Sequence, residues 1–166
     1  MANIKDLRPS LDKFIRSIVT DAMKLDWAQN AADTIYKRTK SGRGLSSYKV
    51  TWGGVGLKKL DDVSPGYAVY RKGRVSGAFA KNSGRASNLT FSGELLESIA
   101  ARISSGGRAV VELQDGQHSN SDLSIRELAD KVSKEGRPFF GLADSELKIL
   151  DNYIRRKIRD RIRSLK

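Results

Sequence analysis

Residues 137–166 read RPFFGLADSELKILDNYIRRKIRDRIRSLK, and this stretch decides which element closes the fold. Its later apolar residues recur at steps of three and four, the spacing of one face of an α-helix. Most of its arginines lie away from that face, so the spacing predicts an amphipathic C-terminal helix. The apolar face comprises Leu147, Leu150, Ile154, Ile158, Ile162 and Leu165.

The start of this stretch predicts an extended segment that precedes the helix. Pro138 disfavours helical angles for the residue before it. In an extended chain, the rings of Phe139 and Phe140 lie on opposite sides. One ring can then enter the core while the other stays available to a partner. The alternative is that both rings pack the last helix onto its own subunit.

A second apolar stripe with near-helical spacing runs through residues 10–39 and predicts a long N-terminal helix. Ser10 can cap its start, and Gly42 and Gly44 are expected to end it. An unbroken helix of this length would be about 45 Å long at 1.5 Å per residue. The stripe comprises Leu11, Phe14, Ile15, Ile18, Ala22, Trp27, Ala31 and Ile35.

The middle of the chain mixes strand and helix patterns. Residues 48–52 and 67–70 are strand candidates, and residues 108–113, RAVVEL, are the strongest strand of the chain. A central helix is expected from residue 92, capped by Thr90 or Ser92, and a short helix is expected before Gly136. The apolar face of the central helix comprises Leu95, Leu96, Ile99, Ala100 and Ile103. The face of the short helix comprises Ile125, Leu128, Ala129 and Val132.

This order of elements predicts one α+β domain spanning residues 1–166. Its parts are a long N-terminal helix, a small mixed or antiparallel sheet, a central helix and the C-terminal amphipathic helix.

Positive charge is the strongest compositional signal. Lys and Arg number 31 against 19 Asp and Glu, which gives a net charge of +12. Residues 71–87 contain five basic side chains, three Gly and three Ser among 17 residues, a composition that predicts a mobile basic loop. Such a loop suits DNA or an acidic partner, although a purely solvated surface is the alternative. Its basic residues are Arg71, Lys72, Arg74, Lys81 and Arg85.

No catalytic or metal-binding constellation is apparent in the sequence. Cysteine is absent, and His118 is the only histidine, in a turn-like stretch where we expect it to be exposed. The chain lacks the phosphate-binding and nucleophile motifs of common enzymes. No apolar run is long enough to span a membrane. We therefore expect no catalytic residues, no metal, no cofactor and no membrane partner.

Two segments resemble the virion-morphogenesis and tail-completion proteins of tailed bacteriophages. Residues 88–99, NLTFSGELLESI, are similar to a mid-chain LTxSGxLLxSI stretch of that family. Residues 137–146, RPFFGLADSE, are similar to its late RPFxGLSxxE stretch, and residues 35–42 are similar to the end of its first helix. The chain departs from the family at Ala143, where Ser or Thr is usual, so Asp144 is expected to cap the last helix.

The resemblance implies a structural protein of the head–tail neck rather than an enzyme. It implies a tail-completion, tail-terminator-like or adaptor subunit that forms a sixfold or twelvefold homo-oligomeric ring. Its partners would be other neck and tail proteins and, without sequence specificity, the genomic DNA that passes the channel. The expected location is the virion, and the host cytoplasm during assembly.

We predict that residues 137–166 supply the main contact between subunits or rings. Arginines on the last helix can form bidentate pairs with carboxylates of a neighbour. The candidate interface residues are Pro138, Phe139, Phe140, Leu142, Arg155, Arg156, Arg159 and Ile162. Packing of the helix against the first helix of its own subunit is the alternative.

A small basic nucleic-acid-binding protein is the alternative function. It would use the same Lys and Arg side chains for phosphate contacts. Against it, the chain carries no known nucleic-acid-binding motif.

Overall fold

The computed structural model describes residues 14–15, 17–47, 55–62, 65, 93–119 and 122–164. Among these residues the chain forms four helices that the structure describes from end to end. It also forms two antiparallel two-stranded sheets. This arrangement confirms the predicted α+β fold class, with a long helix toward each end of the chain. The strand candidates at residues 48–52 and 67–70 lie outside the described residues.

Helix α1 (Asp21–Lys40) follows a break in the predicted first helix. Thr20 has extended backbone angles, and its hydroxyl accepts a hydrogen bond from the Met23 N–H at 3.3 Å. Thr20 therefore caps a new helix, and the prediction of one unbroken helix is wrong at this residue. The predicted end is confirmed, because α1 stops at Lys40 and Gly42 follows with a φ of 79°.

The buried face of α1 consists mainly of small residues. Ala28, Ala31 and Ala32 are buried together with Ile35, so a sheet can approach the helix closely. At the other end of the predicted stripe, Phe14 and Ile15 are about half exposed. The half of the stripe that follows the break therefore builds the core.

A short hairpin follows α1. Strand β1 (Arg43–Leu45) pairs antiparallel with β2 (Leu57–Lys59). A Cβ atom at Gly44 would lie 2.6 Å from the Pro138 carbonyl oxygen, so only glycine fits there. The Leu45 N–H donates to the same carbonyl at 2.7 Å. The hairpin thus holds the segment that precedes the last helix.

The predicted central helix is much shorter than its apolar pattern suggested. Helix α2 (Glu94–Glu97) has one turn, and the chain then enters strand β3 (Ile99–Ile103). The helical prediction for residues 99–103 is wrong, because these residues pair along their whole length with strand β4 (Ala109–Leu113). A strand at residues 108–113 was predicted, and β4 confirms it. The β3–β4 hairpin packs against α1.

Two helices complete the chain. Helix α3 (Ile125–Lys134) confirms the predicted short helix and begins with a full capping box between Ser124 and Glu127. Helix α4 (Asp144–Ser164) confirms the predicted C-terminal helix. The main core lies where α1, α2, α3 and β4 meet the segment before α4. Its buried members are Ile35, Leu95, Leu96, Leu113, Ile125, Ala129 and Phe139.

Candidate assembly surface

A buried ion pair fixes the base of α4. The Arg38 guanidinium, near the end of α1, lies 2.6 Å from the Glu146 carboxylate, and both side chains are less than a tenth exposed. The same guanidinium donates to the backbone carbonyls of Gly141, at 3.1 Å, and of Phe139. One arginine thus bonds both to the segment before α4 and to the first turn of α4. We call this group of contacts the Arg38 clamp.

Burial determines the electrostatics of the clamp. Loss of water lowers the pKa of Arg38, and the adjacent Glu146 carboxylate opposes that shift. A buried guanidinium needs charge compensation and several hydrogen bonds to offset its desolvation. Glu146 and the two carbonyls supply them, so the clamp tolerates little displacement of α4 relative to α1.

Glu146 also organises the start of α4. Its carboxylate accepts the Ala143 N–H at 2.8 Å, which is the half of a capping box that a Glu three residues into the helix provides. The other half needs a hydroxyl at position 143, which alanine lacks. The assignment of this capping role to Asp144 is therefore corrected, because Glu146 makes the bond. The Asp144 N–H donates to the Val55 carbonyl at 3.0 Å.

The first four candidate interface residues are buried in their own subunit to different degrees. Pro138 is buried, and Phe139 is fully buried in the main core. Phe140 and Leu142 are half-buried and pack against the same core. Pro138 and Phe139 therefore cannot form a contact surface of the folded subunit, because their own core covers them. The sequence alternative in which both rings pack inward fits this segment best.

The second half of α4 has a different environment. Within this helix the one buried residue is Glu146, so no apolar side chain of α4 is buried. Ile154 and Ile158 are half-buried, and Ile162 is 37% exposed. Tyr153 donates a hydrogen bond to Asp26 of α1 at 2.7 Å, which tethers the middle of the helix. From residue 155 to residue 164 every side chain except Ile158 is exposed.

Residues 155–164, which we call the basic helix end, combine an apolar stripe with strong positive charge. They carry six Lys or Arg side chains and one Asp. Arg155 pairs with Asp151 at 2.7 Å, and Arg156 stacks over the Tyr153 ring with its guanidinium carbon 5.7 Å from the ring centroid. Among the described residues, the hydrogen-bond partner of Arg159 is a backbone carbonyl. The predicted interface residues Arg155, Arg156, Arg159 and Ile162 all lie on this exposed segment.

The remaining sequence predictions concern the basic loop, His118, metal binding and membrane spans. The basic loop with Arg71, Lys72, Arg74, Lys81 and Arg85 lies outside the described residues. His118 was expected to be exposed, and this is wrong: its side chain is only 11% exposed, and its Nε2 lies 3.9 Å from the Glu94 carboxylate. Among the described residues, no group of three His, Asp or Glu side chains could hold a metal ion. No helix of the same part of the chain has the length and apolar content needed to cross a membrane.

Sequence reasoning missed the role of Arg38, although the sequence carries a signal for it. Arg38 follows Ile35 by three positions and therefore lies on the buried side of α1. An arginine at such a position needs a buried partner. Glu146 was the acidic candidate for this partner, because it occupies the position of the glutamate in the RPFxGLSxxE pattern.

Comparisons with protein-family models, with curated proteins and with solved structures found no match. The geometry of the site therefore carries the functional argument.

Proposed function

We propose that the chain is a structural subunit of the head–tail neck of a tailed bacteriophage, a tail-completion or tail-terminator-like protein that joins tail to head. The observation that carries the proposal is the basic helix end. It is an exposed segment of α4 with an apolar stripe and six cationic side chains, based on a helix start that the Arg38 clamp holds rigidly.

The clamp gives a physical meaning to the motif that suggested the family. In RPFFGLADSE, the phenylalanine at position 139 fills the core and the glutamate neutralises Arg38. A motif of this kind fixes the direction in which α4 leaves the subunit. Direction matters for a protein that acts by shape, because a small angular error at each subunit prevents a ring from closing.

The basic helix end suits contact with another macromolecule. Exposed isoleucines beside arginines provide apolar burial and bidentate hydrogen bonding in one surface. In this proposal the surface contacts a neighbouring subunit or another neck protein. Joining heads to tails then depends on the contacts of α4 and involves no bond-making chemistry.

Deletion of the gene in the source of the chain tests the proposal by electron microscopy of the particles produced. We expect DNA-filled heads and finished tails that remain separate, and joining restored by the full chain. A chain that ends at Ile154 should fold without restoring joining. As a matched control, Lys131→Ala with Lys134→Ala removes two exposed charges from α3 and should restore joining fully. Normal tailed particles in the absence of the chain would contradict the proposal.

The cations of the basic helix end also favour the second candidate function, a small nucleic-acid-binding protein. That function predicts duplex binding by the monomer whose logarithmic affinity falls linearly with the logarithm of salt concentration. Titration of duplex DNA at several salt concentrations separates the two candidates. Tight salt-dependent binding together with normal particle assembly in the deletion strain would favour this second candidate.

A further inference from the structure

We infer that the basic helix end docks onto an acidic face of a second copy of the same chain. The acidic face is formed by α2, residues 114–119 and the start of α3, and its carboxylates are Glu94, Glu97, Asp115, Asp122 and Glu127. The inference takes its biological setting from the proposed function, since it names the partner of the same surface.

The acidic face brings together three segments of the chain. The Glu94 carboxylate accepts hydrogen bonds from the backbone N–H of Ser119, at 2.8 Å, and from its hydroxyl. The Gln114 N–H donates to the Ser98 carbonyl at 2.8 Å, and Gln117 forms an isolated bridge with Ser124. These bonds hold α2, the intervening segment and α3 together. Segments that carry carboxylates far apart in the sequence are therefore neighbours in the fold.

Negative charge predominates on this face among the residues that the structure describes. Segments 93–98, 112–119 and 122–130 carry seven carboxylates and one arginine. Two of the seven pair with cations outside these segments, Glu112 with Arg102 and Asp130 with Lys134. The arginine within the segments, Arg126, pairs with Asp115 at 3.0 Å, yet Asp115 stays 80% exposed. Glu97 and Asp122 are exposed and make no ion pair with any residue that the structure describes. The face is thus complementary in charge to the basic helix end.

The two surfaces lie on different parts of one subunit. Among the described elements, the principal packing partner of α4 is α1, whereas α2 packs against α3 and β3. Among the described residues, no cation of α4 forms an ion pair with a carboxylate of the acidic face. A contact between unlike surfaces of identical subunits is heterologous, and repetition of it produces a ring or a filament.

The acidic face also offers apolar area to the isoleucines of α4. Leu123 and Leu128 are half-buried beside Asp122 and Glu127. Contact of Ile158 and Ile162 with these leucines would remove apolar surface from water on both copies. Charge steers the approach and sets the orientation, while the apolar contact adds affinity.

Two charge-reversed variants test the inference by sedimentation velocity on the purified chain at low salt and high concentration. The first carries Arg159→Glu and Arg163→Glu, and the second carries Glu97→Lys and Asp122→Lys. In the first variant the net charge of the basic helix end falls from +5 to +1, because six cations and one Asp become four cations and three carboxylates. In the second, the five carboxylates of the acidic face and Arg126 change from a net charge of −4 to 0. We expect self-association of each variant alone to weaken at least about tenfold relative to the wild-type chain, because the opposite charges that attract the two surfaces are largely removed.

An equimolar mixture of the two variants gives the decisive result. The unchanged acidic face of the first variant can then bind the unchanged basic helix end of the second variant. We therefore expect the mixture to form heterodimers with an affinity within a few-fold of that of the wild-type contact. As a control of equal charge change, Lys37→Glu with Lys40→Glu on α1 should associate like the wild-type chain.

Several outcomes would overturn the inference: a wild-type chain that stays monomeric, variants that associate normally alone, or a mixture that does not recover. Disulfide trapping adds a readout, because the chain has no cysteine. A chain with Asp122→Cys and Arg163→Cys should form a ladder of oxidised oligomers, and one with Asp33→Cys and Arg163→Cys should not.

The docking contact between copies and the proposed function can be contradicted independently of each other. If the mixture recovers but deletion of the gene leaves tailed particles intact, the contact stands and the neck assignment fails. If head–tail joining needs the chain but the reversed variants support it normally, the assignment stands and this contact fails.

Discussion

Two segments of one continuous stretch of the sequence have different structural roles: residues 137–146 and residues 155–164. Four of the ten residues of the first segment are buried and five are partly buried, and its Phe139 and Glu146 contact the core and α1. The second has no buried residue and carries six cationic side chains. Position along α4, rather than residue type, separates the part that stabilises the subunit from the part available to a partner.

Two arginines illustrate how the environments of the buried and exposed regions differ. Arg38 is buried, and a carboxylate and two carbonyls hold it. Arg159 is exposed, and its hydrogen-bond partner within the described part of the chain is a carbonyl of its own helix. Removal of the partners of Arg38 leaves an uncompensated charge inside the protein. Removal of the Arg159 side chain, by contrast, takes away a charge that water already solvates. Substitutions in the two segments should therefore affect different measurements.

Phe139→Ala should have the largest effect on stability. The ring is fully buried in the main core, so its loss leaves a cavity and lowers the free energy of unfolding by about 3–5 kcal/mol. Phe140→Ala is the matched control: its ring meets that of Phe139 edge-on, with centroids 6.3 Å apart, but is only half-buried. Urea unfolding of both variants measures the contrast. Equal losses would mean that the two rings are not divided as described.

Glu146→Gln should have the next largest effect. It removes the charge that compensates Arg38, at a cost of about 3 kcal/mol, the lower end for a broken buried pair because the two carbonyl bonds remain. Asp151→Asn breaks the exposed pair with Arg155 and should cost less than about 0.5 kcal/mol. The same denaturant titration compares the two pairs. A cost for Glu146→Gln as small as that for Asp151→Asn would contradict the clamp.

The capping box of α3 should make stability depend on acid pH. Hydrogen bonds from the Ser124 N–H and hydroxyl hold the pKa of Glu127 below its usual value. This contribution is fully present above the unfolded pKa of about 4.3, and it is lost as the pH falls through the lower folded pKa. Glu127→Gln should therefore reduce the melting temperature at neutral pH and flatten its decline in acid.

The smallest effect on stability should come from the basic helix end. Changing Arg156, Arg159 and Arg163 together to Ala should alter the free energy of unfolding by no more than about 0.5 kcal/mol per site, because these side chains are exposed. Self-association should nevertheless weaken markedly. Thermal unfolding and sedimentation of one sample measure both effects. A large loss of stability with normal association would reverse the roles of the two segments.

The parts of the fold that local patterns specify were predictable from the sequence. The helix spacing of α3 and α4, the apolar β-branched strand β4 and the glycine that follows α1 are signals within a few residues. Strand β3 was missed because Ile99, Ala100 and Ile103 fit a helical face as well as a strand. Only the pairing with β4, six to fourteen positions later in the chain, distinguishes the two, and periodicity does not report it.

The candidate site was predictable in part. The exposed arginines of α4 followed from spacing alone, since they lie away from the apolar stripe. The clamp did not, because its partners are 108 positions apart and a charged residue on a helix is usually solvated. The hairpin of β1 and β2 was missed as well, because strands of three residues carry too little pattern.

The most direct test of the division within α4 is thermal unfolding of a chain that ends at Ile154. This truncation keeps the Arg38 clamp and the bond from Tyr153 to Asp26 while it removes the basic helix end. If the removed segment serves assembly, the shortened chain should unfold in one cooperative transition within a few degrees of the full chain. A chain that is unfolded at room temperature would instead show that residues 155–166 belong to the core of the subunit.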